Sequence, residues 1–326
     1  MHSKIFRRAL LAAAMALAPL AASAQDKLSV RMDFAPWGIQ AGMHLAEVKG
    51  WFKEAGLVVD VQDGRGSGNT LQLVNAGQVD VGQIQLGLLA QSRENGATVK
   101  SFAGFDRRTD LVVLVDRDSS IRKVQDFKGK TLVVFAASPW APLIDLWLKK
   151  GGLDRNSVTI SFVDPAALWG TYTAKRADGL MSTIGSALPV AEKPRPSHGV
   201  LAEDAGIAFP SYGLIATEAT LKSKADVLKR LVATQQKAWA YMRDGGIEEG
   251  VAAMLKQRPD ARLDPAVQRE QIKITIDFFD TPATKGKPIG WQAEADWKQH
   301  IDMMVAAGAL KSAPKPSDLY TNDLIQ

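Results

Sequence analysis

Met32-Asp33-Phe34-Ala35-Pro36-Trp37-Gly38, with the run that follows it to Leu57, decides how this chain is read. Leu28, Val30 and Met32 alternate with other residues at the two-residue period of a strand. The strand runs into a polar and aromatic turn. The turn opens a helix over residues 39–56, which ends in Lys49-Gly50-Trp51-Phe52-Lys53-Glu54-Ala55-Gly56-Leu57. In an open α/β sheet, ligands sit where strand ends meet helix starts. This first turn is therefore expected to form one wall of a small-molecule pocket.

Outward from it the alternation continues. Residues 57–61 read as a β-branched strand and 63–69 as a glycine-rich turn. A helix is expected over 70–76, stopped by Gly77. Strands follow at 79–82 and 99–103, with a helix over 86–95 between them. Such a βαβαβαβ order predicts a largely parallel sheet flanked by helices. After the continuous apolar strand 111–115 the order restarts. Strands are predicted at 131–135, 158–163, 178–182 and 199–201, with helices leading to Lys150 and over 166–175. Pro194 and Pro196 keep 192–197 a loop. A second long apolar strand spans 212–217, and from Ala219 the chain reads as helical to its end. The helical stripes there (Val227, Leu231, Trp239; Ile272, Ile276, Phe279; Trp297, Ile301, Met304) read as core. The fold class is α/β, with two lobes joined by two crossing segments. Lobe I is placed at 26–110 plus 213–326 and lobe II at 115–208. The crossings fall at about 105–115 and 208–217.

The chain has 326 residues, 46% hydrophobic and 23% charged, an ordinary globular composition with room for two domains. Lys4, Arg7 and Arg8 precede a short apolar run, and Ala22-Ser23-Ala24 has the small residues of a cleavage site. The run falls short of the ~20 apolar residues of a membrane span. Residues 1–24 are thus expected to be a secretory signal cut after Ala24. The chain has no cysteine, which excludes a disulfide scaffold and a lipoprotein anchor. A soluble periplasmic protein is expected. Removing Lys4, Arg7 and Arg8 takes three positive charges and no acid from a net +5, leaving +2. With no dense basic run, nucleic acid is not an expected partner.

Catalytic motifs are missing. Gly64-x-Gly66-x-Gly68 has neither the phosphate-loop nor the dinucleotide spacing. It reads equally as a flexible turn or as a ligand contact, in which case Ser67 and Asn69 would supply a hydroxyl and an amide. The four histidines show no metal-ligand spacing. A thiol nucleophile is excluded, and there is no Gly-x-Ser-x-Gly elbow. More informative are aromatic residues at the expected strand-to-helix turns: Phe34 and Trp37, Trp140, Trp169 and Tyr172, Phe209 and Tyr212. Such rings can stack on a flat ligand and still donate through a polar tip. Trp37 and Trp140, each after a proline and in facing lobes, are the expected stacking pair. Phe34 and Trp169 read equally as core. Arg107 could clamp a carboxylate or sulfonate, or pair locally with Asp106 or Asp110.

Met32-Asp33-Phe34-Ala35-Pro36, Gly42, Ala46, Lys49-Gly50-Trp51-Phe52 and Glu54-x-Gly56-Leu57 resemble the opening signature of periplasmic solute-binding proteins for sulfonates and thiamine-pyrimidine precursors. Ala76-Gly77-x-x-Asp80, Asp126-Phe127-Lys128-Gly129-Lys130, Gly152-Leu153-Asp154 and Ala177-Asp178-Gly179 extend the resemblance over most of residues 28–217. It implies a two-lobed type II periplasmic binding protein, non-enzymatic and without cofactor. Such a protein would be a monomer that closes on a solute and delivers it to an ABC permease. By this analogy ligand contacts fall at 33–37, 67–69, 83–85, 138–140 and 178–183. The expected ligand-binding residues are Asp33, Phe34, Trp37, Gln40, Ser67, Asn69, Gln85, Arg107, Ser138, Trp140, Asp178, Thr183 and Tyr212.

The chain departs from the pattern at Gln40, where pyrimidine-binding members carry histidine. It departs again at Trp37, and at Trp140-Ala141-Pro142 in place of a Gly/Ser-rich helix start. These changes favour an aromatic or heterocyclic solute, either a pyrimidine-type thiamine precursor or an aromatic acid or sulfonate, over a sulfate-like or nitrate-like one. A ligand-presenting sensor is the alternative role. A remoter alternative is an enzyme like a eukaryotic branch of the fold, which makes the thiamine pyrimidine from its own histidine and pyridoxal phosphate and carries a cysteine-rich motif; this chain has no cysteine, and Gln40 stands where a histidine would sit.

Overall fold

The computed structural model describes residues 25–326. The expected secretory signal at 1–24 lies outside the described residues. Among the described residues, ten strands form two five-stranded sheets of one shared topology. The first contains β1 (Asp26–Arg31), β2 (Leu57–Gln62), β3 (Val81–Gln85), β4 (Val99–Gly104) and β10 (Tyr212–Thr217), in the order β2-β1-β3-β10-β4. The second contains β5 (Leu111–Asp116), β6 (Thr131–Val134), β7 (Thr159–Phe162), β8 (Gly179–Thr183) and β9 (Ser197–Leu201), in the order β7-β6-β8-β5-β9.

In each sheet four strands share a direction and one opposes them. The opposed strands, β10 and β5, are the two long apolar runs of the sequence. Their continuous hydrophobicity follows from position. Leu111 to Val115 are fully buried, with β8 and β9 on the two edges. The segment expected as a crossing at 111–115 is thus a central strand of the second sheet, and Tyr212–Thr217 is one of the first. The connections run over about residues 105–110 and 202–211. They are tied together by Thr109, whose hydroxyl donates to the Phe209 carbonyl (2.9 Å) and accepts from the Phe209 N–H (2.6 Å).

The first lobe packs Leu28, Val30, Phe52 and Leu214 against Trp239, Met254 and Ile272 of the C-terminal helices. A second apolar cluster runs from Val74 and Ile84 through Phe209 to Trp140 and Trp147 of the second lobe, so the core is continuous through the connections. The chain is not helical throughout its end. Helices Ala225–Tyr241 and Ile247–Gln257 meet at a kink over Met242–Gly246, and helices Pro265–Asp277 and Glu294–Ala306 follow after connections containing Pro259 and then Pro282 and Pro288. Helix Ile184–Ala191, overlooked in the sequence because it holds Gly185 and Pro189, packs against helix Pro265–Asp277 and joins the two lobes.

Candidate functional site

The C-terminal ends of β1, β6 and β8 point toward one another across the lobes. Between them lies a cleft of about 430 Å³. On the first-lobe side the turn after β1 is held by the glycine-rich turn. The Gly64 N–H donates to the Phe34 carbonyl (2.9 Å) and the Gly66 N–H to the Asp33 carbonyl (2.7 Å). A Cβ at Gly64 would lie 2.0 Å from the Met32 carbonyl, and Gly66 has φ +119°, so both positions require glycine. Gly66 and Ser67, at the start of helix Ser67–Asn75, then reach the cleft wall.

Asp33 is the inner acceptor. Its side chain is buried, and Trp37 Nε1 donates to both carboxylate oxygens (3.1 and 3.3 Å). Burial pushes its pKa up to about 7, while the Trp37 and Gln40 donors pull the other way. A carboxylate offers about four lone-pair sites, and Trp37 on both oxygens with Gln40 Nε2 on Oδ1 (3.5 Å) takes three of them, leaving about one for a ligand. Tyr212 meets Trp37 edge-on at 5.5 Å. Burial and the nearby carboxylates of Asp33, Asp110 and Asp106 hold its phenol well above the usual range. Asp110 is pushed up to about 6 by burial, against donors from Ser211 and Gln85. At the inner end of the cleft Asp33 therefore accepts, and the Tyr212 phenol, kept protonated, can donate, with Asp110 behind the lining.

Phe34 of the first lobe and Phe135 of the second stack at 5.4 Å across the opening. Trp169, Leu168, Ser138, Ser182, Thr183 and Ser186 complete the second-lobe wall. The third wall comes from the C-terminal region. Gln271 Oε1 accepts from the Gly38 N–H (2.9 Å) and Gln271 Nε2 donates to the Ser186 carbonyl (2.9 Å), so one side chain spans both lobes. Lys193 and Asp264 add an ion pair between them at 2.9 Å.

Of the thirteen residues expected from sequence, seven line the cleft: Asp33, Phe34, Trp37, Ser67, Ser138, Thr183 and Tyr212. Six do not. Trp140 is fully buried, donates from Nε1 to the Ser182 carbonyl (2.7 Å) and packs edge-on against Trp147, so it is core of the second lobe. Arg107 is no anion clamp. Its donors are taken by the carbonyls of Phe279, Pro288 and Trp291 and by Asp280, and it pins the C-terminal loop. Gln40 stands behind the turn and donates to the Phe34 and Ala35 carbonyls (3.2 Å each). Gln85 is buried against Asp110 (2.7 Å). Asn69 lies within helix Ser67–Asn75, off the cleft lining. Asp178 precedes β8, at the strand end away from the cleft, and accepts from the Thr131 N–H (2.8 Å).

The sequence reading missed Phe135, Ser186, Arg262, Gln268 and Gln271; Ser182 falls within the expected contact stretch 178–183. The legible signal was Gln268 and Gln271 at helical spacing beside Ile272, polar residues on an otherwise buried face.

This arrangement of two lobes around a cleft is the fold of periplasmic solute-binding proteins of the ABC-import type. The alkanesulfonate-binding protein of Xanthomonas axonopodis pv. citri, solved with MOPS, superposes with a TM-score of 0.68 at 16% identity, over 90% of this chain and 98% of its own. The nitrate-binding protein of Synechocystis gives 0.65 at 12% identity, over 91% and 86%. The family described as NMT1/THI5 like matches residues 39–245, and the chain belongs to that family. A binding protein of Brucella abortus is 25% identical over 97% of this chain and 98% of its own. The formylaminopyrimidine-binding protein of Halalkalibacterium halodurans is 21% identical over 92% and 91%.

Proposed function

We propose that this protein is the periplasmic solute-binding component of an ABC importer, and that it takes a flat heterocycle which donates hydrogen bonds from one edge. The observation that carries the reading is the buried Asp33 carboxylate at the inner end of an aromatic-walled cleft. A buried acceptor with a spare lone pair rewards a ligand N–H and penalises a ligand that brings only acceptors. Phe34, Phe135, Trp169 and Tyr212 supply the apolar faces. Family membership and the relative named for formylaminopyrimidine point the same way. The second-lobe helix start offers an alkanesulfonate or nitrate no buried cation, and the acidic inner end opposes such ligands. Export after Ala24 and delivery to an inner-membrane permease belong to this proposal. No catalytic step is assigned: Asp33 and Tyr212 bind and orient the solute.

Closure follows from differential affinity, since a ligand touching both lobes stabilises the closed state by the contacts it lacks in the open one. Calorimetry of the purified protein with aminopyrimidines, other flat heterocycles, alkanesulfonates and nitrate tests the reading. Binding of an aminopyrimidine that weakens about tenfold or more in Asp33→Asn is the expected result. Binding of alkanesulfonates alone overturns it.

A further inference from the structure

Between helices Ile247–Gln257 and Pro265–Asp277 the chain makes a short loop that forms part of the cleft wall, at residues 261–264. The loop is pinned at both ends, to different lobes. Arg258 donates from Nη2 to the Val61 carbonyl (2.7 Å) and from Nε to Asp63 (2.9 Å), both in the first lobe. Asp264 caps the next helix through the Ala266 N–H (2.8 Å) and pairs with Lys193 of the second lobe (2.9 Å). Between these anchors stands Arg262. It closes the single turn Pro259–Ala261 in the left-handed conformation, at φ 49°. That is a position where glycine or asparagine is the ordinary occupant and a long side chain is disfavoured. Among the described residues, its guanidinium has no hydrogen-bond or ion-pair partner, and it is the only cation lining the cleft.

The unspent charges of the cleft thus lie at two depths. Asp33 is 3% exposed, at the inner end, with acceptor capacity to spare. Arg262 is exposed, at the rim, with its planar fork of donors uncommitted. Asp264, the other charged residue of the lining, is neutralised by Lys193 and by the helix start. A ring that presents N–H donors inward to Asp33 therefore carries its opposite edge outward, past Phe34 and Phe135, toward a guanidinium.

We infer that the solute is bipolar, with a hydrogen-donating heterocyclic edge and, on its outer edge, a carboxylate or comparable anionic group that Arg262 recognises. This rests on the proposed function above and narrows it. Arg262 is the specificity residue for the outer group. An arginine held in a conformation that glycine adopts more freely is accounted for by that contact.

The test uses the full mature chain and two probes that differ only in the outer group, an aminopyrimidine carboxylate and the carboxamide of the same ring. In the wild type, calorimetry should show the carboxylate binding about tenfold or more tighter than the carboxamide, the size expected of a charge-assisted fork. High salt should shrink that ratio. Arg262→Gly should bring the ratio close to one while its melting temperature stays equal to or above that of the wild type, since glycine is unstrained at this φ. That combination separates lost recognition from lost folding. Arg262→Lys should keep an intermediate ratio. Equal binding of both probes by the wild type, with both still weakened by Asp33→Asn, overturns the inference and leaves the proposed function standing. So does a ratio unchanged in Arg262→Gly. If neither probe binds, both fall together.

Discussion

The turn after β1 and the turn after β6 occupy matching places in the two sheets, and each carries a tryptophan six residues beyond its strand, Trp37 and Trp140. Their indole N–H groups have opposite uses. Trp37 donates to a carboxylate whose charge depends on pH, at the cleft wall. Trp140 donates to the Ser182 carbonyl and packs beneath its own helix against Trp147. The first turn is held by outside partners, the glycine-rich turn and Gln271, so its side chains can face a ligand. The second is held by its own tryptophan, which leaves the cleft to Phe135 and Ser138. One lobe spends its tryptophan on the site and the other on the scaffold.

The strongest way to break this contrast is Trp140→Ala. Loss of a fully buried indole should cost about 3–5 kcal/mol in denaturant unfolding. A loss below about 1 kcal/mol would mean that Trp140 is not core.

Next comes pH. Asp33 sits at about 7 in the folded chain against an ordinary value of 3.8. Between those values the folded state holds the extra proton. The contribution of this group to stability is therefore complete below about 4 and is lost as pH rises through 7. Relative to wild type, Asp33→Asn should gain stability over that window, on the order of 1 kcal/mol per pH unit, read from melting curves at a series of pH values. The second turn has no such group, and Trp140→Phe should leave the slope alone. Ligand affinity should strengthen as pH rises through about 7, because the ionised carboxylate is the better acceptor.

A smaller and sharper comparison is Trp37→Phe against Trp140→Phe. Each should lose roughly 1–2 kcal/mol of stability with its hydrogen bond. Only Trp37→Phe should move the pH midpoint of binding, and it should move it upward, because the lost N–H favoured the ionised carboxyl. Equal midpoints in the two variants would erase the distinction. Least of all, Lys193→Ala removes an ion pair whose lysine is largely exposed, and should change stability by less than about 1 kcal/mol.

The repeated strand–helix alternation and the apolar runs at 111–115 and 212–217 were enough to read two α/β lobes, because burial on both faces leaves an unbroken hydrophobic run. That these same runs are the two opposed strands was not legible: pairing direction depends on where the chain returns, which local pattern does not encode. In the site, the turn carrying Asp33, Phe34 and Trp37 was legible because it is one contiguous stretch. Trp140 was misplaced because a tryptophan beside proline at a helix start looks alike whether the ring turns inward or outward. Arg107 was misplaced because its carbonyl partners lie more than 170 residues away. Gln271 and Arg262 reach the cleft only through the packing of the C-terminal helices: Gln271 shows locally as a polar residue on a buried helix face, and nothing local announces Arg262.

The order in which the strands appear bears on how the chain folds as it emerges. Every pairing of the second sheet lies within Leu111–Leu201. The first sheet keeps an open slot between β3 and β4 until β10 arrives, more than a hundred residues after β4. Its closure is a high-contact-order step that waits on loop entropy. The later lobe can therefore mature before the earlier one. Until residue 212 is available, the half of the protein that carries Asp33 and Trp37 remains an unfinished sheet, with β3 and β4 unpaired on their facing edges.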